Sequence, residues 1–267
     1  MEQVTDVAVI GGSGLYSLLD QAREVLVDTP YGPPSGPVTI GTVQGREVAF
    51  LPRHGPDHRY PPHRINYRAN LWALRALGVR QILAPCAVGS LHPDLGPGSL
   101  VVPDQLVDRT TGRARTFFDR NAAHVSFADP YCPAGRALVL EAAADAGLDP
   151  MDGGTLVVID GQRFSTRAES RWYAAQGWSL VNMTALPEAA LARELAVCYT
   201  TVALVTDLDA GIDTGSAVTQ DEVFRVFAEN TARLRALLLA VLPGLPTDRT
   251  CPCAAAHDGI ALPIDLP

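Results

Sequence analysis

Two acids in alternate positions, Asp207 and Asp209, close a run of β-branched and aliphatic residues that begins at Thr201. In α/β sheets ligands bind outside the carboxyl ends of parallel strands, so this pair is placed to meet one. Taken alone, the same stretch also reads as a solvated, Asp-rich turn into Ala210-Gly211. Gly11-Gly12-Ser13-Gly14 follows a short apolar strand, Val4 to Ile10, and offers bare backbone amides to an anion. Arg53-His54-Gly55 sets a permanent guanidinium beside an imidazole, which suits an oxyanion. Phe164 and Ser165 stand just before a helix start, where a ring face and a hydroxyl suit a planar ligand. Met183, at a strand end, is a candidate floor for a sugar, while Thr184 beside it also reads as a simple helix-start residue.

Other reactive types are weaker candidates. Cys86 has no activating base near it in sequence, and a small buried thiol is its ordinary role. His54, His58 and His63 have spacing conceivable for a metal, but no carboxylate or cysteine at ligand spacing supports them, so no metal is expected. Cys251-Pro252-Cys253 with His257 supplies too few ligands for zinc by itself; a strained disulfide, free thiols and a metal contact all stay open there, with free thiols favoured. A dinucleotide loop is disfavoured because Ser17 stands where the third glycine belongs and no βαβ unit follows.

The elements that must position these groups alternate between strand and helix. A hairpin is expected from Val38 to Val43 and Glu47 to Leu51, and a helix from Asn66 to the stop at Gly78. Gln81 to Ala84 reads as a strand ending in a small-residue turn, Pro85 to Ser90. Leu100 to Val107 reads as one strand before a long polar loop, Asp108 to Asp129, which carries His124. A helix over Ala134 to Gly147 and a strand over Gly154 to Ile159 follow. Thr166-x-x-Glu169 is a capping box for the next helix, Pro187-Glu188 opens another, and Thr219-x-x-Glu222 caps the last. Ala210 to Ala217, rich in small residues, has the composition of a lid.

With 267 residues, 47% hydrophobic and 19% charged, the chain is read as α/β and as one domain over 1–267, ending in a proline-rich tail, 244–267. A net charge of −8 argues against nucleic acid and anionic membrane as partners and favours a small molecule. No apolar run approaches the ~20 residues of a membrane span, and five scattered cysteines do not form a secreted disulfide framework; the expected location is cytoplasmic.

Gly11 to Gly14, Arg53-His54-Gly55, Ala87 to Ser90, Arg163 to Ser170, Asn182-Met183-Thr184 and Thr206 to Asp209, in that order, resemble methylthioadenosine phosphorylases, among the trimeric purine nucleoside phosphorylases. The likeness runs to about Pro243. It implies a mixed, partly barrel-like β-sheet flanked by helices, a homotrimer, no metal or organic cofactor, and phosphate as co-substrate. It also implies that Ser13, Arg53, His54, Thr184 and the backbone at Ala87 hold phosphate, and that Met183 lies against the ribose. Phe164 and Ser165 would border the purine, with Asp207 and Asp209 as the catalytic acids on its N6 and N7 edge. His124 would reach a neighbouring subunit's 5′ pocket, which Gln220 and Val223 also line.

The chain departs from the family pattern at Pro85-Cys86, which replaces a hydroxyl-bearing pair, at Gln162, at Leu208, and at Gln220, polar where a methylthio group favours an apolar wall. The expected reaction is phosphorolysis of 5′-methylthioadenosine to adenine and 5-methylthioribose 1-phosphate. The alternatives are a methylthioinosine or broader purine nucleoside phosphorylase, a non-catalytic purine-binding protein, and, more distantly, an NAD-dependent dehydrogenase.

Overall fold

The computed structural model describes residues 4–12, 15, 19, 22–212 and 217–267. Its centre is a mixed sheet built on β1 (Val7–Gly11), β4 (Arg46–Pro52), β5 (Gln81–Ser90) and β11 (Cys198–Leu208), all mutually parallel where they pair. The hairpin partner β3 (Val38–Val43) and a short β2 (Arg23–Val25) extend one edge. On the other side, β10 (Leu180–Asn182) pairs with β5, then with β9 (Thr155–Val158), which pairs with β7 (Gln105–Asp108). A branch off β11 carries β6 (Leu100–Val102) and β8 (Met151–Asp152).

Alternation along β1 explains the layering. Ala8 and Ile10 face α1 (Tyr67–Ala76) and α4 (Ala185–Glu194), whereas Val7 and Val9 face α2 (Pro133–Asp145) and α5 (Gln220–Val241). A strand buried on both faces reads as a continuous apolar run, which is how β1, β5 and β11 appear in sequence. The helix starts follow their caps. Thr166 and Glu169 make the full capping box of α3 (Arg167–Ala175), while Thr219 caps α5 through the Glu222 amide. Asn66 caps α1, and Gly78, at φ 101°, ends its connection in a conformation glycine adopts without strain.

Three boundaries differ from the sequence expectation. The segment expected as a turn, Pro85 to Ser90, continues β5, because β11 pairs with it through Ser90. Pro85 is tolerated there because its backbone points away from β11, toward Arg53, so the missing N–H costs no ladder bond. The single strand expected from Leu100 to Val107 is two, interrupted at Pro103-Asp104. Its halves join different partners, β6 with β11 and β7 with β9. The central strand also begins earlier, at Cys198.

β5 is where the sheet divides. On one edge β1 pairs only with Gln81 to Leu83 and β10 only with Gly89 and Ser90. Among the described residues, no strand pairs with that edge from Ala84 to Val88, and side chains take over its carbonyls. Arg53 Nη1 donates to Pro85 O at 3.1 Å and Asn182 Nδ2 donates to Ala87 O at 3.1 Å. The gap opens into a cavity lined by Pro85 to Gly89. Among the described residues no helix is long and apolar enough to cross a membrane.

Candidate active site

A cavity of about 430 Å³ lies over the carboxyl ends of β1, β4, β5, β10 and β11. It is lined by Arg53, His54, Ala87, Phe164, Ser165, Met183, Thr184, Asp207, Asp209, Gln220 and Val223, with Gly12 and Cys86 among the remaining wall residues. These expected residues come from six separate stretches of chain, and the fold brings them to one place. Ser13 lies outside the described residues, as do 213–216 of the expected lid. His124 is exposed and is not part of this wall; within one chain it is not brought to the site.

At one end stands Arg53, only 2% exposed. Its Nε and Nη2 form a fork onto Glu188 at 2.8 and 2.9 Å, Nη2 also donates to Ile10 O, and Nη1 donates to Pro85 O. Tyr199 Oη donates to the same Glu188 carboxylate at 2.7 Å. A guanidinium has five N–H groups, so one on Nη1 remains beyond these four contacts. That nitrogen is the first atom a side chain at Gly12 would meet, at 3.9 Å, which places the glycine loop and the arginine together. Glu188 holds Arg53 charged well above its ordinary range against the opposing effect of burial. Sequence reasoning read Glu188 only as a helix-start residue; no local signal ties it to an arginine far away in the chain.

Beside Arg53 stands the titratable imidazole of His54. Burial first, then His58 and Arg53, push its pKa down to about 3, against the pull of the Tyr60 carbonyl. The imidazole is neutral. Nδ1 lies 2.8 Å from Tyr60 O, an obligate acceptor, so Nδ1 carries the proton and Nε2 is an acceptor. Such a group suits a protonated oxygen of an anion. His58 stacks on it with ring centroids 4.1 Å apart.

At the other end are the two acids. A β-bulge between Val205 and Asp207 shifts the register of β11 and turns its end toward the cavity. Room for both side chains comes from Gly89, where a Cβ would lie 2.9 Å from Asp207 Oδ1 and 3.4 Å from Asp209 Cβ. Asp207 is pushed up to about 6, chiefly by burial; the Thr206 hydroxyl, 2.8 Å from Oδ2, opposes this and the charge of Asp209 adds to it. Asp209 is raised by burial, with the Ser170 and Ser165 hydroxyls pulling the other way. Asp209 and Ser165 are both buried and both line the cavity.

The walls between the ends are held by residues the sequence did not single out. Arg113, from the long loop after β7, donates to the carbonyls of Met183, Leu186 and Asp160. It thereby ties the Met183 segment to the strand end before Phe164. Asn182 accepts from the Thr184 and Ala185 amides, both at 2.7 Å, and fixes the turn between β10 and α4. Cys86 lies in the wall, but burial pushes its thiol up to about 12, so it stays protonated and is no nucleophile.

Outside the cavity the fold adds two cysteines to the tail motif, and all four are free thiols. Cys251 and Cys253 are joined by Cys132 and Cys198, so the cluster does hold enough ligand atoms for a metal. Separation in sequence hid the other two.

Residues 6–243 match the model of the phosphorylase superfamily. The chain is 60% identical to the S-methyl-5′-thioadenosine phosphorylase of Mycolicibacterium smegmatis, over 98% of this chain and 99% of that one. It is 59% identical to the purine nucleoside phosphorylase of Streptomyces coelicolor, with 98% of each chain covered. A crystal structure of methylthioadenosine phosphorylase sourced from an antarctic soil metagenomic library superposes with a TM-score of 0.91 at 40% identity, covering 98% of this chain and 94% of that one.

Proposed function

The chain belongs to the phosphorylase superfamily, and from that premise we propose phosphorolysis of 5′-methylthioadenosine to adenine and 5-methylthioribose 1-phosphate as its reaction. The observation that carries this reading is the span of β5. Arg53 meets the strand at Pro85 and the two acids meet it at Gly89, four residues on, or about 13 Å of extended chain. An anion site and an acid pair thus flank one cavity at a separation that a nucleoside and phosphate together fill.

In this reading an oxygen of phosphate forms the bond to C1′ as the C1′–N9 bond breaks. The bonding pair leaves with the purine, positive charge builds on the sugar, and a proton must reach the base. Phosphate sits against Arg53 Nη1, the Thr184 hydroxyl, the Ala87 backbone and Ser13, with His54 Nε2 accepting from its protonated oxygen. Met183 floors the ribose; Phe164 and Ser165 border the base. Asp207 and Asp209 accept from the 6-amino group and supply the N7 proton, which a carboxyl already raised to about 6 holds more readily than one at its ordinary 3.8. The reaction is redox-neutral and brings its own nucleophile, so it calls for no organic cofactor and no metal at the reacting carbon.

The 5′ wall supports a second reading. Gln220 is polar and exposed there, which favours a nucleoside keeping its 5′-hydroxyl over one with a methylthio group. Phe224, also in the wall, is 44% exposed, and an apolar rim of this kind is suited to cover by another subunit. From the family resemblance we propose a cytoplasmic homotrimer as the working form, in which His124 completes a neighbour's 5′ pocket. Free base released from methylthioadenosine, adenosine and inosine, with and without phosphate, tests these readings together. Phosphate-dependent adenine release fastest from methylthioadenosine is expected. Faster cleavage of inosine would replace it with the broader phosphorylase, and binding without base release would leave only a purine-binding protein.

A further inference from the structure

We propose that Cys132, Cys198, Cys251 and Cys253 form a structural zinc site that staples the carboxyl-terminal tail to the start of the central strand. The four Sγ atoms all lie within 4.8 Å of one another, and those of Cys198 and Cys251 are 3.3 Å apart. A tetrahedral zinc at about 2.3 Å from each sulfur needs sulfur separations of about 3.8 Å, so small shifts within this cluster make the site. Three of the four cysteines are buried, and the ligand set is all thiolate, the soft and closed kind that holds zinc without an open position for substrate.

The surroundings suit the negative charge of a zinc tetrathiolate. Cys132 is the N-cap of α2, so it stands at the positive end of the helix dipole. Arg249 Nη1 lies 3.7 Å from Cys198 Sγ and is held in place by the carbonyls of Arg80 and Ala196. Donors of this kind fix the ligands of a metal and stabilise thiolates. Binding replaces the proton on each thiol, so one zinc ion entering releases up to four protons to solvent and changes no oxidation state. Pairing the four cysteines as two disulfides would instead draw each pair of sulfurs to about 2.05 Å and need an oxidant.

The site lies far from the chemistry. Cys198 opens β11 and Asp207 stands nine residues along it, about 30 Å of strand. The role is to anchor the tail, whose Ile264 and Leu266 pack on the core and whose His257 meets the Glu194 carbonyl.

The test is zinc content of the full-length protein purified in reducing buffer without chelator, with cobalt substitution as a spectroscopic check. The expected result is one zinc per chain and a thiolate-to-cobalt charge-transfer band in the wild type. The Cys251→Ser/Cys253→Ser variant should retain at least about tenfold less zinc, with kcat/KM unchanged. Reduced wild-type protein that binds no added zinc would overturn the proposal, as would zinc bound equally by the variant. A wild-type mass short of hydrogens, with these thiols blocked to alkylation until reduced, would replace the metal with disulfides. If the double variant does not fold, the cobalt spectrum of the wild type decides alone.

Discussion

The two ends of the cavity bury charge in opposite ways. Arg53 is enclosed by a carboxylate fork and two carbonyls, with Tyr199 securing the carboxylate. Asp207 and Asp209 are buried with hydroxyls and each other, and among the described residues no cation forms an ion pair with either. The first end is therefore permanently charged and preorganised for an anion. The second resists ionisation, and that resistance is what lets a carboxyl hold a proton for a leaving base.

The comparison is broken most severely by removing the partner of Arg53. Glu188→Ala should destabilise the fold by about 3–5 kcal/mol, because it leaves an uncompensated buried charge, and urea titration would show it. A loss under about 1 kcal/mol would mean that Arg53 is rehydrated and that the fork is not what holds it.

Neutralising the acid end should hurt chemistry while helping the fold. Asp207→Asn is expected to lower kcat/KM for methylthioadenosine by roughly 10²–10³ and to shift preference toward 6-oxo nucleosides. An unchanged ratio of 6-amino to 6-oxo turnover would remove Asp207 from base recognition. In the same variant stability should rise at pH 8 by about 3 kcal/mol relative to wild type, the equivalent of a carboxyl moved from 3.8 to about 6. The sign follows from the folded state binding the proton more tightly. The contribution is fully present below 3.8 and lost as pH rises through about 6, so the variant's advantage should vanish at pH 3.5. Melting curves at the two pH values check it.

The same raised carboxyl predicts a pH limb in catalysis. At saturating phosphate, kcat/KM should fall as pH rises above about 6, and Asp207→Asn should abolish that limb. A limb that survives the substitution would assign the proton to another group. The smallest effect expected is at the border of the base site. Thr166→Ala removes a cap that holds α3 beside Phe164 and Ser165, and should cost about 1 kcal/mol with little change in kcat. A large fall in kcat instead would mean that this cap also sets the position of the base.

Much of this site was legible because its signals are local. The run into Asp207 and Asp209 marked a buried strand end, the reciprocal Thr166 and Glu169 pair marked a helix start, and the glycine loop marked an anion approach. Where the signal was local but ambiguous, reading failed: Pro85 suggested a turn, yet its partner strand keeps it extended. The break at Pro103-Asp104 was hidden because apolar residues continue on both sides, and only different strand partners separate the halves.

By itself the chain's order of residues determined the strands and helices, their caps and the chemical types at their ends, since these depend on neighbours a few positions apart. Tertiary structure alone decided which buried charge meets which. Glu188 finds Arg53 across 135 residues, Arg113 reaches the Met183 carbonyl across 70, and Cys198 meets Cys251 across 53. Partners so distant leave no periodicity or spacing to read, because their proximity is set by how β1, β4, β5 and β11 pair, and pairing is a property of the whole sheet.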